Sequence, residues 1–318
     1  MNIHNRQEGF TLLELMIALT LGLIVTAAAV QLILGSFITT KLQEANSQIQ
    51  DSGLFGLEYI IKDIQMLNFG NSNQYEIKSA TPKGGLILTA GTATSNLNAT
   101  LGGTITTNNV VSKSGGTSNM QGITSDQLTI QFIAPTALSN CEGVSVRAGD
   151  LIVQRYFLRD ENNVLSLVCD ANTPTPTPTP TTVTDPDDVT KTIDNPPQSN
   201  PTAITGLGVQ AQVIIPKVDQ FKVLLGGMTD TGNLAYYDIE TFKLKTDLKI
   251  VSIKISTLIR SDAVVPSQNI NPAQTFDLFG STVTGLSGKL TDTTNANRVP
   301  RQLYIATVAL RNGLGKNQ

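Results

Sequence analysis

The 318-residue chain has no tryptophan, two cysteines and a single histidine, His4. Beyond His4 it carries no imidazole. Ser-His-Asp and Cys-His nucleophile systems are thereby excluded from its body, as are His-ligated zinc and iron sites. Two cysteines cannot supply a four-thiolate metal site. Charge is scarce too: 15% of residues are charged and 40% hydrophobic. Such a chain can bury a core and is too apolar to be disordered throughout. With 22 basic and 25 acidic residues the formal net charge is −3, which excludes a basic footprint gripping nucleic acid across the whole surface. Carboxylate-only chemistry passes these filters but has no motif behind it. No catalytic residue, metal ligand or cofactor is expected, and the chain reads as a non-enzyme.

What is present is concentrated at the N-terminus. After Arg6, Glu8 and Gly9 comes Phe10-Thr11-Leu12-Leu13-Glu14-Leu15-Met16. Residues 15–38 hold no charge, a run of 24 and enough to span a bilayer as a helix. Lys41 and Glu44 mark the return to water. Three readings compete. A cleaved secretory signal finds a small-residue site at Ala27-Ala28-Ala29, but Glu8 and Glu14 spoil the basic leader and the apolar run continues to Ile38. A plain membrane anchor explains the length and leaves Glu14 as an uncompensated charge at the start of the span. A carboxylate there is a functional candidate by default.

The third reading gives Glu14 a partner. Gly9-Phe10-Thr11-Leu12-Leu13-Glu14 resembles the processing site of type IV prepilins and pseudopilins. The resemblance implies cleavage after Gly9 by a prepilin peptidase and N-methylation of the new terminus at Phe10. Glu14 would then lie four residues from the amine, on the same helix face. It would neutralise that amine, its own or a neighbour's, and so set axial register in an apolar filament core.

Beyond the span, Leu42, Ala45, Ile49, Leu57, Ile60, Ile61 and Ile64 recur at helical spacing, with Glu44, Asp51, Glu58, Lys62 and Asp63 between them. Gly53 and Gly56 weaken that helix locally, by about 1 kcal/mol each against alanine. Asn68-Phe69-Gly70-Asn71 supplies a stop. One helix from Phe10 to Asn68 would be roughly 90 Å long. From Gly84 the period becomes two. Clean alternation at 127–132, 209–213 and 251–256 predicts strands with one buried face. Further strands are expected at 86–88, 151–158, 164–168, 221–225 and 303–310. The expected fold class is α+β: a long N-terminal helix, its first half spanning the membrane, packed on a mainly antiparallel β-sheet head.

The chain divides accordingly into a leader at 1–9, a transmembrane or filament-core helix at 10–40, the second half of that helix at 41–69 and a head at 70–318. Flexible insertions are expected near 92–121, rich in Thr, Asn, Gly and Ser, and near 173–203, where a Thr-Pro repeat favours extended chain without ladder hydrogen bonds. Its threonines are also candidates for sugar attachment. Cys141 and Cys169 each adjoin a strand candidate, and an even count outside a membrane favours a disulfide over two unrelated buried thiols.

Several further stretches sharpen the resemblance. Ala45 to Gly53, Asp63-Ile64-Gln65, Cys141-Glu142-Gly143 with Cys169, residues 250–261 and residues 301–312 look like PilW-type minor pilins of the type IV pilus. Leu54 stands where a basic residue is expected, and no cysteine follows Gly70. The resemblance implies a pilin-like fold and a role in initiating pilus assembly, with incorporation at the tip. Piliation-dependent twitching motility, adhesion or DNA uptake would follow. The implied partners are other minor pilins, the major pilin, the prepilin peptidase, the inner-membrane assembly platform and, before assembly, inner-membrane lipid. The head would face the periplasm before assembly and the cell surface afterwards. A J-type pseudopilin of type II secretion shares this layout. A tip adhesin or DNA-binding module is the other alternative, prompted by Arg298, Arg301, Arg311 and Lys316 near the C-terminus; nucleic acid is thus left open as a partner.

Overall fold

The computed structural model describes residues 10–71, 75–91, 95–97, 100–103, 105–120, 122–161, 164–174, 181–184, 192–195, 203–208, 210–261, 264–265, 271, 274–284 and 299–311. The expected leader 1–9, with His4 and Gly9, lies outside these residues. So do Arg298, Lys316 and most of 173–203.

The chain begins with one helix, α1 (Leu12–Met66, 55 residues), about 82 Å long at 1.5 Å per residue. It runs unbroken through Gly22, Gly35, Gly53 and Gly56. It ends where Leu67 caps it, and Asn68 turns the chain with a φ of 65°, a left-handed conformation that asparagine tolerates. Asn68 then ties the turn to the head: its N–H donates to the Gln131 carbonyl at 3.2 Å and its Oδ1 accepts from the Gly85 N–H at 3.0 Å.

The strands, in chain order, are β1 (Thr100–Leu101), β2 (Lys113–Gly116), β3 (Ser125–Ile133), β4 (Leu138–Ser139), β5 (Ser145–Val146), β6 (Leu151–Glu161), β7 (Val164–Ala171), β8 (Thr181–Thr184) and β9 (Thr192–Asn195). They continue with β10 (Ala203–Ile204), β11 (Gln212–Ile215), β12 (Val218–Met228), β13 (Leu234–Asp238), β14 (Lys249–Arg260), β15 (Thr275–Leu278), β16 (Ser281–Thr284) and β17 (Arg301–Ala309). Two short helices join them, α2 (Thr107–Val110) and α3 (Ile239–Lys243). Two antiparallel sheets dominate, one ordered β11-β7-β6-β3-β2 and the other β13-β12-β14-β17. The fold is α+β, a long helix on antiparallel sheet.

Ile49, Leu57, Ile60 and Ile64 of α1 are buried in one core with Tyr156, Leu165 and Leu167 of the first sheet and Phe221, Val223, Ile253 and Ile255 of the second. The sheets are joined through buried polar groups. Asp126 of β3 accepts from the Val223 N–H at 2.9 Å and pairs with Lys222 Nζ at 3.0 Å.

Several sequence expectations are revised. β3 does not present one buried face: Gln127, Thr129 and Gln131 are buried as well. The neighbouring loops roof that side. Gln127 Nε2 donates to the carbonyls of Asn109 (3.0 Å) and Val111 (2.9 Å), and Gln131 Nε2 to those of Gly84 (2.7 Å) and Asn96 (2.9 Å). The strand expected at 86–88 is reduced to a bridge between Leu86 and Ile130. The strand expected at 209–213 begins later, at Gln212. The described part of 92–121 is packed: Leu97 and Val110 share a core with Ile87, Val153, Ile204 and Leu207, and Met120 is buried with Leu258, Phe276 and Leu278. Few large apolar residues suffice there because each fills a gap between sheet and loop. Within 173–203, β8 and β9 pair as a short antiparallel ladder, where the repeat predicted extended chain alone.

Candidate functional site: the helix entry and its junction with the head

Phe10 is 85% exposed and precedes the helix. Thr11 is the N-cap, its side chain accepting from the Glu14 N–H at 3.2 Å, while its hydroxyl reaches Glu14 Oε2 at 3.5 Å. Thr11-Leu12-Leu13-Glu14 has the spacing of a capping box, which places a carboxylate at the positive end of the helix dipole. Glu14 therefore has a local role beyond the charge pairing expected of it, and the Thr-x-x-Glu spacing was the available signal. Gly9 lies outside the described residues.

From Phe10 to Glu44 no residue is buried against the head, and Ala45 is the first that is. The helix is long and apolar enough to cross a membrane by length and composition. Four of its threonines are satisfied within the helix. Thr20, Thr26, Thr39 and Thr40 donate back to the carbonyls of Ile17, Gly22 and Leu23, Gly35, and Ser36 at 2.9–3.0 Å, so these hydroxyls do not demand water. A Cβ on Gly22 would meet nothing within 4 Å. Lys41 and Glu44 close the apolar stretch as an ion pair at 2.8 Å.

At the junction the glycines do what composition alone did not reveal. A Cβ on Gly53 would lie 2.6 Å from the Tyr304 ring, and one on Gly56 would lie 2.2 Å from Ile215 Cγ1. The missing side chains let β17 and β11 press against the helix backbone, and Tyr304 donates its hydroxyl to the Ile49 carbonyl at 3.3 Å. One carboxylate crosses the same interface. Asp63 Oδ2 accepts from the Tyr156 hydroxyl. With its amide oriented to satisfy both ends, Gln154 also donates to Asp63 Oδ2 at 2.8 Å and accepts from the Cys141 N–H at 2.8 Å. Burial pushes the Asp63 carboxyl up to about 6, and the Tyr156 hydrogen bond offsets part of that rise.

Cys141 and Cys169 are joined in a disulfide with a Cα–Cα distance of 6.0 Å. It fastens the turn between β4 and β5 to the C-terminal part of β7. Arg301, expected among surface bases, is instead buried. Its Nε lies 2.6 Å from Asp219 Oδ2, and Arg260 Nε sits 3.1 Å from Asp219 Oδ1. The fully buried Asp219 carboxylate needs those cations, so the positive bias near the C-terminus loses one of its members.

Comparison with known protein families agrees with this layout. Residues 4–30 match the family model described as the prokaryotic N-terminal methylation motif. Residues 156–312 match that of the Type IV Pilus-assembly protein W. Among solved structures, a type IV-like pilin from Thermus thermophilus is similar over 83% of this chain and 96% of its own, at 12% identity and a TM-score of 0.34. No curated protein matches. A methylation motif leading into an exposed apolar helix, followed by a pilus-assembly domain that begins in β6 and takes in the second sheet, makes this chain a member of the PilW-type minor pilins of the type IV pilin superfamily.

Proposed function

We propose that the chain is a structural component, not a catalyst, that helps to initiate type IV pilus assembly and enters the filament at or near its tip. The observation that carries this reading is the entry to α1: Phe10 free of the head, Glu14 one turn later, and an apolar helix fully exposed as far as Phe37. A helix so exposed is complete only in lipid or among other helices. The leader 1–9 is removed after Gly9 by the prepilin peptidase, and Phe10 becomes N-methylated. Glu14 then neutralises the Phe10 amine and fixes register against neighbouring subunits. Before assembly the span at 10–40 holds the protein in the inner membrane with its head in the periplasm. The assembly platform, the major pilin and other minor pilins are its partners in extrusion. The second half of the helix, 41–69, carries the head 70–318, which supplies partner choice.

Mass spectrometry of the mature protein tests the first step and is expected to find N-methyl-phenylalanine at the terminus; a terminus at Val30 would refute it. Deletion of the gene tests the second and is expected to remove surface pili while protein secretion continues. Lost secretion with pili intact would move the chain to a secretion machine.

A further inference from the structure

Each half of the disulfide is followed by an acid, Glu142 after Cys141 and Asp170 after Cys169. The crosslink therefore brings two carboxyl groups to one place. Asp170 is fully buried. Its Oδ2 accepts from Arg155 Nε at 2.5 Å and from the Gly208 N–H at 2.8 Å. Its Oδ1 is buried with no hydrogen-bond partner among the described residues. An orphaned acceptor at that depth is costly. The Glu142 carboxyl faces Asp170, and Glu142 is held there because its Oε1 accepts from the Ala171 N–H at 3.2 Å. Two carboxylates are both acceptors and repel; one proton between them makes a donor and an acceptor.

We propose that Glu142 carries a proton and donates it to the unpartnered Asp170 Oδ1, and that this carboxyl–carboxylate bond is a second fastener, beside the disulfide, holding the turn at 140–146 on β7. The turn is a unit that can be held or released. Asn140 Oδ1 accepts from the N–H groups of Glu142 (3.1 Å) and Val144 (2.9 Å), and β4 pairs with β5 on either side. Arg155 on β6 is the cation that faces the pair, and its guanidinium is engaged by Asp170 Oδ2 and by the Asn109 carbonyl at 2.8 Å. Burial first, and the Asp170 charge after it, push Glu142 up to about 7. Calcium is a poorer occupant, since it takes about six to eight oxygens and Arg155 already sits on one carboxylate. Above neutral pH the proton leaves, the like charges separate, and the turn with its exposed tip at Val144 loses this fastener while the disulfide and the Cys141 N–H bond to Gln154 still hold its base.

Amide hydrogen exchange on the full oxidised chain in detergent tests this, read on peptides covering 140–147 and 169–173 and corrected for base catalysis. Protection in the wild type is expected to fall about thirtyfold between about pH 6 and pH 8.5, each unit beyond the midpoint costing a factor of ten. Glu142→Gln, whose amide can donate to Asp170 at any pH, is expected to stay level. A level wild-type profile overturns the proposal, whether or not the variant folds. The same fall in Glu142→Gln also overturns it. Recovery of protection at high pH on adding millimolar calcium chloride would mean that the pair takes a cation instead of a proton, and would overturn it as well.

Discussion

Gly56 of α1 lies so close to Ile215 of β11 that a single added carbon would stand 2.2 Å from Ile215 Cγ1 and 3.3 Å from the Ile214 carbonyl. Alanine at this position gains about 1 kcal/mol of helix propensity and meets overpacking of about 1–3 kcal/mol. The clash involves the methylene beside the Ile215 branch point and a backbone oxygen, so overpacking wins. Gly56→Ala is expected to lower the melting temperature by about 2–6 °C. Gly56→Ala combined with Ile215→Val should lose less than the sum of the single changes; strict additivity would show that the two positions do not press on one another.

Asp63 makes stability depend on pH. Its carboxyl sits near 6 when folded, against an ordinary value of 3.8, so the folded chain holds this proton more tightly than the unfolded chain. That contribution is complete below about pH 4 and is lost as the pH rises through about 6. Asp63→Asn keeps an acceptor for Tyr156 and removes the titration. The variant is expected to show a flatter melting profile between about pH 4 and pH 7 and to gain about 1–2 kcal/mol on the wild type at neutral pH. Parallel profiles for the two proteins would refute this.

Two roles of Glu14 are to be separated, the cap contact with Thr11 and the proposed pairing of its charge. Glu14→Gln keeps the capping geometry with Thr11 and loses the charge, whereas Glu14→Ala loses both. Both variants should insert in the membrane at normal or slightly higher levels, because a charge at the start of the span has gone. Both should be cleaved at Gly9. Surface pili, counted by electron microscopy, are expected to be fewer in each. Full piliation with Gln but not with Ala would assign Glu14 to capping alone.

Removing Cys141 and Cys169 together, as serine, releases a loop of 28 residues. The expected loss is about 3.5 kcal/mol in the chain-entropy account, read as a lower melting temperature. Non-reducing peptide mapping of wild-type protein should recover the two cysteines as one linked species, and free alkylation of both would exclude the bond.

Arg301→Gln leaves the buried Asp219 with Arg260 and Asn119, whose Nδ2 lies 2.7 Å away. Breaking a buried pair by removing one partner typically costs about 3–5 kcal/mol. Because the pair is shielded from solvent, the loss should change little between low and high salt. A small, salt-sensitive loss would mean that Arg301 acts as a surface base after all.

The parts of this architecture that could be read in the sequence are those whose signal is local. The uncharged run at 15–38 and the alternation at 127–132 and 251–256 are properties of consecutive residues, and each element formed where it was expected. Arg301 was misread because its partner, Asp219, is 82 residues away; a base without a visible partner is assigned to solvent by default. Gly53 and Gly56 look like weak points in a helix when only neighbouring residues are considered, because the residues that need their absent side chains, Tyr304 and Ile215, come from far down the chain. The β15–β16 hairpin and α3 are short. α3 rests on one local cap, Asp238 Oδ1 accepting from the Thr241 N–H at 2.8 Å, and on the burial of Ile239 and Phe242. Neither element carries enough periodicity to be distinguished from a loop.

The close seating of β17 and β11 on the two glycines has a mechanical consequence. The helix passes from its uncovered half into the head without a hinge, so tension along its axis reaches the sheets as sliding between packed surfaces. Tyr304 against Gly53, Ile215 against Gly56 and Asp63 under Tyr156 resist that sliding side by side, and they would have to give way together. A subunit built this way transmits a pull on its stem to its head as one body, with little stretch lost between the two.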